Sequence, residues 1–239
     1  MKVQHQDAYV LHTRPYRESS LLLELFTRDY GRVSLVAKGV RGRKKTPPRQ
    51  FVLCLVSWVG RGPLFTLTDC ELATTQPLQG DALACGFYIN ELLLRMTEPL
   101  DVHDNLFATY ATTIASLAES GEEKEKAEFS LSAMMRKFEY ALLQECGYAP
   151  DFTSCADTGE PINPDDHYEL VPDKGFIVTQ PSDSSTSGAE LTQIFLGNFQ
   201  TGAVRVAARR IFQLALRPHL GDRPLASREL LRPMGGNAS

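Results

Sequence analysis

The stretch SSLLLELFTRDYGRVSLVAKG, residues 19–39, decides the fold of the amino-terminal part of the chain. Two mainly apolar runs, 19–27 and 31–37, flank an Asp-Tyr-Gly triplet of the kind that a tight hairpin turn favours. In the second run, Val33 and Leu35 alternate with polar residues, which is the period of a half-buried strand. The stretch therefore predicts an antiparallel hairpin with one face turned towards a core.

Three further short runs, near 7–13, 51–59 and 64–71, also read as strands bounded by turn residues. Five strands in about 75 residues without a long helix are the content of an OB-type β-barrel, which we predict for residues 1–80. A small SH3-like barrel or a fragment of a sandwich matches the same pattern almost as well.

After residue 77 the strand-like runs give way to runs with helical spacing. A strand-rich part followed by a helix-rich part predicts the α+β fold class. The almost continuously apolar run 81–97 predicts a buried helix, and helical spacing of apolar residues returns further along the chain. Prolines and serines make 147–189 loop-dominated, with one hairpin around 168–178. The predicted divisions are the barrel at 1–80, a mainly helical domain at 81–146 and 190–239, and a loop-rich insertion at 147–189.

Charge is segregated along the chain although its net value is only -4. Residues 1–80 carry +6, residues 81–199 carry -15 and residues 200–239 carry +5. Polyanions respond to local fields, so the two basic ends predict binding surfaces that the net charge conceals. Five dispersed cysteines and the lack of a long apolar run favour a cytoplasmic protein without disulfides. The cysteines are Cys54, Cys70, Cys85, Cys146 and Cys155.

The most concentrated positive charge lies in KGVRGRKKTPPR, residues 38–49, where six of twelve residues are Lys or Arg. Its glycines and prolines predict an exposed loop, and unbalanced positive charge of this density suits phosphates. A solvated loop kept basic for solubility is the alternative. Nearby aromatic residues could stack on bases or pack in the core; they are Tyr16, Tyr30, Trp58 and Phe65. The candidate nucleic-acid-binding residues here are Arg28, Arg32, Lys38, Arg41, Arg43, Lys44, Lys45 and Arg49.

A second basic element is the predicted helix 201–217, where Arg205, Arg209 and Arg210 project away from the apolar face. No acidic residue follows them at i+3 or i+4, so they cannot be satisfied as ion pairs along the helix. Either they meet the acidic middle of the chain or they extend the nucleic-acid-binding surface.

Catalytic and metal-binding patterns are not found in the sequence. The phosphate-loop, dinucleotide and nucleophile-elbow signatures are absent, and the five histidines are scattered. No C-x-x-C occurs, whereas a structural zinc site needs four closely grouped ligands. We therefore expect neither an enzyme, nor a metal site, nor a cofactor.

Four stretches, taken together and in order, resemble the RecO family of bacterial recombination mediators, most closely its zinc-free proteobacterial branch. They are AYVLHTRPYRESSLLLELFTRDYGRVSLVAKGVRG at 8–42, GFYINELLLRM at 86–96, RKFEYALLQECGYAPDFTSCADTGEPI at 136–162 and LRPHLGDRPLASREL at 216–230. The resemblance implies an amino-terminal OB domain, a helical domain and a small segment that binds zinc in some members. Here Cys155-Ala156-Asp157-Thr158-Gly159 stands where the first C-x-x-C pair would be, so zinc is not carried over.

The resemblance also implies binding of single- and double-stranded DNA, annealing of complementary strands, partnership with RecR, and a role in loading RecA. It further implies recognition of the acidic C-terminal tail of single-stranded DNA-binding protein. Arg136 and Lys137 are the hypothesised anchor for that tail; pairing with Glu139 or Glu145, or plain solvation, is the alternative. Two other functions stay open, namely an interaction scaffold whose basic loop docks an acidic protein, and a metal-dependent nuclease.

Overall fold

The computed structural model describes residues 1–40, 48–73, 77–120 and 124–231. The chain forms two compact units, one of Met1–Glu123 with Leu225–Ser239 and one of Lys124–Pro224. The first unit is thus assembled from both ends of the chain. No helix in the described part of the chain is long and apolar enough to cross a membrane.

Five strands of the first unit close into a barrel, which confirms the predicted barrel and the α+β class. The strands are β1 (Lys2–Tyr16), β2 (Ser20–Thr27), β3 (Gly31–Ala37), β4 (Leu53–Val59) and β5 (Phe65–Leu72). Their order around the barrel is β1-β2-β3-β5-β4. All neighbours are antiparallel except β3 and β5, which pair in parallel through Leu35 with Phe65 and Val36 with Thr66.

The turn between β2 and β3 follows directly from its residues. The Thr27 hydroxyl donates a hydrogen bond to the carbonyl oxygen of Gly31 (2.8 Å) and accepts one from the N–H of Tyr30 (3.2 Å). Gly31 has a φ of +60°, and a Cβ atom there would lie 1.7 Å from the carbonyl oxygen of Asp101. Only glycine therefore fits this turn, because both the backbone angle and the neighbouring chain exclude a side chain.

β1 is much longer than the predicted run 7–13, because different parts of it pair with two neighbouring strands. It pairs with β2 through its second half and with β4 through its first half. The register shifts between Val3 and Gln6 and again between Val10 and His12. Such bulges bend a strand around a barrel and interrupt the polar–apolar alternation by which a strand is recognised in sequence.

Two helices, α1 (Gly80–Met96) and α2 (Asp104–Glu119), belong to the same unit as the barrel. A buried chain of hydrogen bonds joins them to β1, because Tyr110 donates to the Asn90 Oδ1 (2.7 Å) and the Asn90 Nδ2 donates to the Leu11 carbonyl (2.9 Å). The aromatic rings of Tyr9 and Phe26 pack on Phe107 and Tyr110, at centroid distances of 5.0–6.0 Å. The predicted buried helix at 81–97 is confirmed, but the compact units divide the chain at other positions than the predicted segments.

The second unit combines helices with a small sheet. Its helices are α3 (Lys124–Glu145), α4 (Gly188–Phe195) and α5 (Gly202–Leu216), and its strands are β6 (His167–Val171), β7 (Gly175–Thr179) and β8 (Thr186–Ser187) in the order β7-β6-β8. The hairpin of β6 and β7 confirms the one predicted around 168–178. Ser187 and Glu190 form a capping box that starts α4, and Tyr140 stacks on Phe212 in the core with ring centroids 5.6 Å apart.

The chain returns to the first unit through residues 225–231, which include the short helix α6 (Arg228–Leu231). The Glu91 carboxylate on α1 accepts hydrogen bonds from the N–H and hydroxyl of Ser227 (2.9 and 2.6 Å) and from the N–H of Ala226 (3.0 Å). It also lies 2.6 Å from the Arg95 guanidinium. Partial burial raises the pKa of Glu91, but these hydrogen bonds and Arg95 outweigh it, so the pKa lies below its usual value.

Replacing Glu91 with Gln is expected to lower the free energy of unfolding at pH 7 by about 1–3 kcal/mol, because charged hydrogen bonds to the returning segment are lost. Since the carboxyl pKa is lower in the folded state, its stabilising effect is complete above the unfolded pKa of about 4.5 and disappears as the pH falls through the folded pKa. The difference between wild type and Glu91→Gln in urea unfolding should therefore shrink towards pH 4. Glu98→Gln, at an exposed position, is the control, and an equal loss at both pH values would contradict the assignment.

Candidate nucleic-acid interface

Three segments of the chain enclose a cleft of about 250 Å³ at one end of the barrel. Strand pairing fixes their positions, because Tyr16 pairs with Ser20 across the first hairpin and Val36 pairs with Thr66 where the barrel closes. OB-type barrels bind oligonucleotides near the connections between strands 1 and 2 and between strands 4 and 5. Both connections reach this cleft, which is lined by Tyr16, Arg17, Ser20, Val36, Lys38, Leu64, Phe65 and Thr66.

Two cations lie at the cleft. Arg17 is exposed and its guanidinium carbon lies 5.3 Å from the centroid of the Tyr16 ring. Lys38 is also exposed and begins the basic segment 38–49, whose last residue, Arg49, is exposed as well. The other four predicted binding residues of this segment, Arg41, Arg43, Lys44 and Lys45, lie outside the described residues.

The two arginines predicted on the β2–β3 hairpin are engaged by the protein itself. Arg28 lies 3.0 Å from the Asp7 carboxylate and over the Phe107 ring at 5.4 Å, although its side chain stays 56% exposed. Arg32 is only 14% exposed; it donates to the Thr97 carbonyl (2.9 Å) and lies 4.0 Å from the Glu24 carboxylate. Arg28 can still reach a phosphate, whereas the geometry of Arg32 favours a structural contact.

Of the four aromatic residues considered for stacking, three pack in the barrel core or against it. Trp58 is fully buried, Phe65 is 4% exposed, and Tyr30 packs edge-on against Trp58 with ring centroids 5.4 Å apart. Tyr16 and Tyr30 are both half-buried, but Tyr30 packs against the barrel core whereas Tyr16 lines the cleft. The core-packing alternative therefore holds for three of them, and Tyr16 is left as the accessible ring.

On α5 of the second unit, two of the three predicted arginines donate to backbone carbonyls. Arg205 donates to the carbonyls of Phe199 (3.1 Å) and Gln200 (2.9 Å), and partial burial lowers its pKa. Arg210 donates to the Asp183 and Ser185 carbonyls (both 2.7 Å) and to the Thr186 hydroxyl (2.6 Å). Arg209 is exposed, and no ion pair of it is found among the described residues. Hydrogen bonds to backbone carbonyls cannot be recognised in a sequence. Neither prediction, contact with the acidic middle of the chain or extension of the nucleic-acid-binding surface, therefore included them.

The hypothesised anchor for an acidic tail consists of two unlike residues. Arg136 is 8% exposed and its guanidinium lies 2.7 Å from the Glu139 carboxylate, which is the pairing left open as the alternative. Lys137 is exposed. Only Lys137 therefore offers its charge at the surface.

Cys155 lies in a tight turn of the second unit. The N–H of Gly159 donates to the Cys155 carbonyl (2.8 Å), and the hydrogen bond from the Thr158 backbone lowers the pKa of the Cys155 thiol. A cysteine at position 158 would complete a C-x-x-C pair, but this chain has threonine there. Within the described residues no group of three or more His, Cys, Asp and Glu side chains could hold a metal ion.

Comparison with known proteins identifies the family. The model of the RecO N-terminal domain, "Recombination protein O N terminal", matches residues 1–76, and that of "Recombination protein O C terminal" matches residues 77–229. The chain belongs to the RecO family. Membership of this family gives it a role in DNA repair and recombination.

Individual RecO proteins are similar over almost their whole length. DNA repair protein RecO of Proteus mirabilis is 41% identical over 232 residues, which are 95% of this chain and 92% of the relative. That of Haemophilus influenzae Rd is 41% identical over 235 residues, or 96% of each chain. A Vibrio cholerae RecO is 41% identical over 232 residues, covering 95% of this chain and 93% of its own.

One residue of this RecO cleft was missed in the sequence. Arg17 was not among the candidates because it stands alone, outside the basic segment, in the connection between β1 and β2. The signal available was its position in a hairpin turn next to an aromatic residue. Its proximity to Leu64 and Thr66 depends on the parallel pairing of β3 with β5, which no local pattern shows.

The neighbours Arg209 and Arg210 are expected to respond differently to substitution by Ala. Arg210→Ala removes three hydrogen bonds and should lower the free energy of unfolding by about 1–3 kcal/mol. Arg209→Ala should change it by less than about 0.5 kcal/mol, as is usual for an exposed side chain. Urea unfolding of both variants measures the difference; equal losses would show that Arg209 also supports the fold.

Proposed function

We propose that the protein is a cytoplasmic recombination mediator that binds single- and double-stranded DNA and anneals complementary strands. In this role it helps to load RecA onto DNA covered by single-stranded DNA-binding protein, and it performs no covalent catalysis. The observation that carries the proposal is the cationic cleft at the loop end of a closed OB-type barrel in a member of the RecO family.

Binding in this proposal is electrostatic. Lys38, Arg17 and Arg49 are exposed, and the sequence places four more cations between Lys38 and Arg49. Each phosphate that a cation neutralises releases condensed counterions, which drives binding without reading the base sequence. Arg28 adds a partly exposed charge, and Arg209 is a further candidate on the second unit.

Annealing follows from the same chemistry. Two strands bound to one cationic surface repel each other less, because the protein screens their phosphates, and base pairing then supplies the driving force. No nucleophile or general base is required. RecR and the acidic tail of single-stranded DNA-binding protein are the proposed protein partners, with Lys137 as the surface cation for the tail.

Changing Lys38, Arg41, Arg43, Lys44 and Lys45 together to Ala should weaken single-strand binding and reduce its salt dependence. For single strands the slope of log K against log salt is about -0.7 per neutralised phosphate, so removing up to five contacts flattens it by up to about 3.5. Titrations of a labelled oligothymidine from 50 to 300 mM salt measure the slope, with thermal unfolding to verify the fold.

The control is Lys174→Ala, which removes an exposed lysine that pairs with Asp157 in the second unit and should leave the slope unchanged. Weaker binding with an identical slope in the fivefold variant would indicate an indirect effect. If the wild type itself does not bind the strand, the basic segment serves an acidic protein partner instead.

Reversing the charge of Lys137 to Glu is expected to weaken binding of the tail peptide about three- to tenfold, because an exposed attraction becomes a repulsion. Isothermal titration with a synthetic peptide of the acidic C-terminal tail measures this affinity. Lys174→Glu serves as the matched reversal elsewhere on the second unit. Unchanged affinity in Lys137→Glu would remove this residue from the partner site.

A further inference from the structure

We infer that the cleft at the end of the barrel binds a single unpaired base, stacked on Tyr16, and thereby gives the interface a preference for single over double strands. The inference rests on the proposed DNA-binding function and adds the part of the substrate that the cleft takes. It starts from the shape and chemistry of the cleft rather than from its charge.

The cleft is lined by both apolar and polar side chains, and a base has a flat π-face and a polar edge to match them. Tyr16 forms one wall; the Arg17 guanidinium lies over one face of its ring, 5.3 Å from the centroid, and a base would stack on the opposite face. Leu64, which is 37% exposed, also lines the cleft. The buried side chains of Val36 and Phe65 form an apolar floor. A volume of about 250 Å³ is below the roughly 300–1,000 Å³ of pockets for drug-sized ligands, which limits the occupant to something of about one base.

Polar side chains also line the cleft, and they do not discriminate between bases. The hydroxyls of Ser20 and Thr66 can each donate or accept a hydrogen bond, so they can satisfy the edge of any base. An aromatic ring likewise stacks on every base, because every base has a π-face. The cleft should therefore accept unpaired bases without sequence preference, as a mediator that acts on any sequence requires.

The cations stand where the phosphates of a bound nucleotide would be. Arg17 and Lys38 come from two different segments, the β1–β2 connection and the end of β3, and both line the same cleft. A base inserted between them would leave its flanking phosphates within reach of the two positive side chains. A free phosphate would satisfy the cations but would leave the apolar floor unused, so a nucleotide fits better than an anion alone.

A duplex cannot use the cleft in this way. Its bases are stacked and paired, and only its backbone and groove edges face outwards. Duplex DNA would contact Arg17 and Lys38 but would leave the Tyr16 wall empty. The predicted consequence is a contribution to single-strand binding that is absent from duplex binding and does not depend on salt.

The test compares Tyr16→Ala and Tyr16→Phe with wild type, using oligothymidine, an all-abasic strand of the same length, and a duplex. Tyr16→Ala should lose about 5- to 150-fold in affinity for oligothymidine, the range for one base–aromatic stack, and less than twofold for the abasic strand and the duplex. Tyr16→Phe keeps the ring and should bind all three like wild type. The salt slope should not change in either variant.

Tyr148→Ala, which removes an exposed tyrosine of the second unit, is the control and should not affect binding. An equal loss for oligothymidine and for the abasic strand would overturn the inference, since Tyr16 would then act through the fold or the backbone. An unchanged affinity of Tyr16→Ala for oligothymidine would also overturn it while leaving the proposed function intact. If wild type binds none of the three, neither oligothymidine nor the abasic strand nor the duplex, the proposed function itself is contradicted.

If Tyr16→Ala is unstable, the affinities of the wild-type protein for oligothymidine and for the abasic strand still test whether a base binds in the cleft. Removal of the bases should then cost wild type at least about fivefold in affinity at constant salt, since the phosphates are the same in both strands. Equal affinity for oligothymidine and the abasic strand would exclude a base in the cleft.

Discussion

The candidate interface depends on the two residue pairs that close the barrel. Leu35 with Phe65 and Val36 with Thr66 join β3 to β5 in parallel, and without them both strands would be open edges. Their side chains are largely buried, so closure is held by apolar packing as well as by backbone hydrogen bonds. Closure also places the end of β3 beside the start of β5, and the cleft is formed from those two segments and the β1–β2 hairpin.

A second principle is that some arginines of the described residues form contacts within the protein, whereas other cations are exposed. Arg32, Arg136 and Arg210 donate to carbonyl or carboxylate oxygens within the protein. The planar guanidinium suits this because it offers several donors in fixed directions. Lys38 and Arg209 are exposed instead. Counting Lys and Arg in a basic region therefore overestimates the charge that a polyanion can meet.

Local patterns predicted those elements that local interactions determine. The β2–β3 hairpin, the buried helix α1 and the hairpin of β6 and β7 were all visible as alternation, helical spacing or turn residues. Features that depend on distant residues were not, such as the full length of β1, whose bulges break its alternation, and the parallel closure of the barrel. For the interface, the sequence contains the basic segment, but the packing of Tyr30, Trp58 and Phe65 in the structure was needed to single out Tyr16 as the ring for stacking.

Phosphate contacts and a stacked base have different consequences for a mediator. The phosphate contribution weakens as salt rises and is similar for paired and unpaired strands, so alone it cannot direct the protein to single strands. A single stacked base adds selectivity for single strands over duplexes without binding the strand very tightly. It also leaves the neighbouring bases free to pair with a complementary strand. One small cleft with exposed cations at its edge is therefore better suited to annealing than a long row of aromatic residues, which would hold the bases away from their partners.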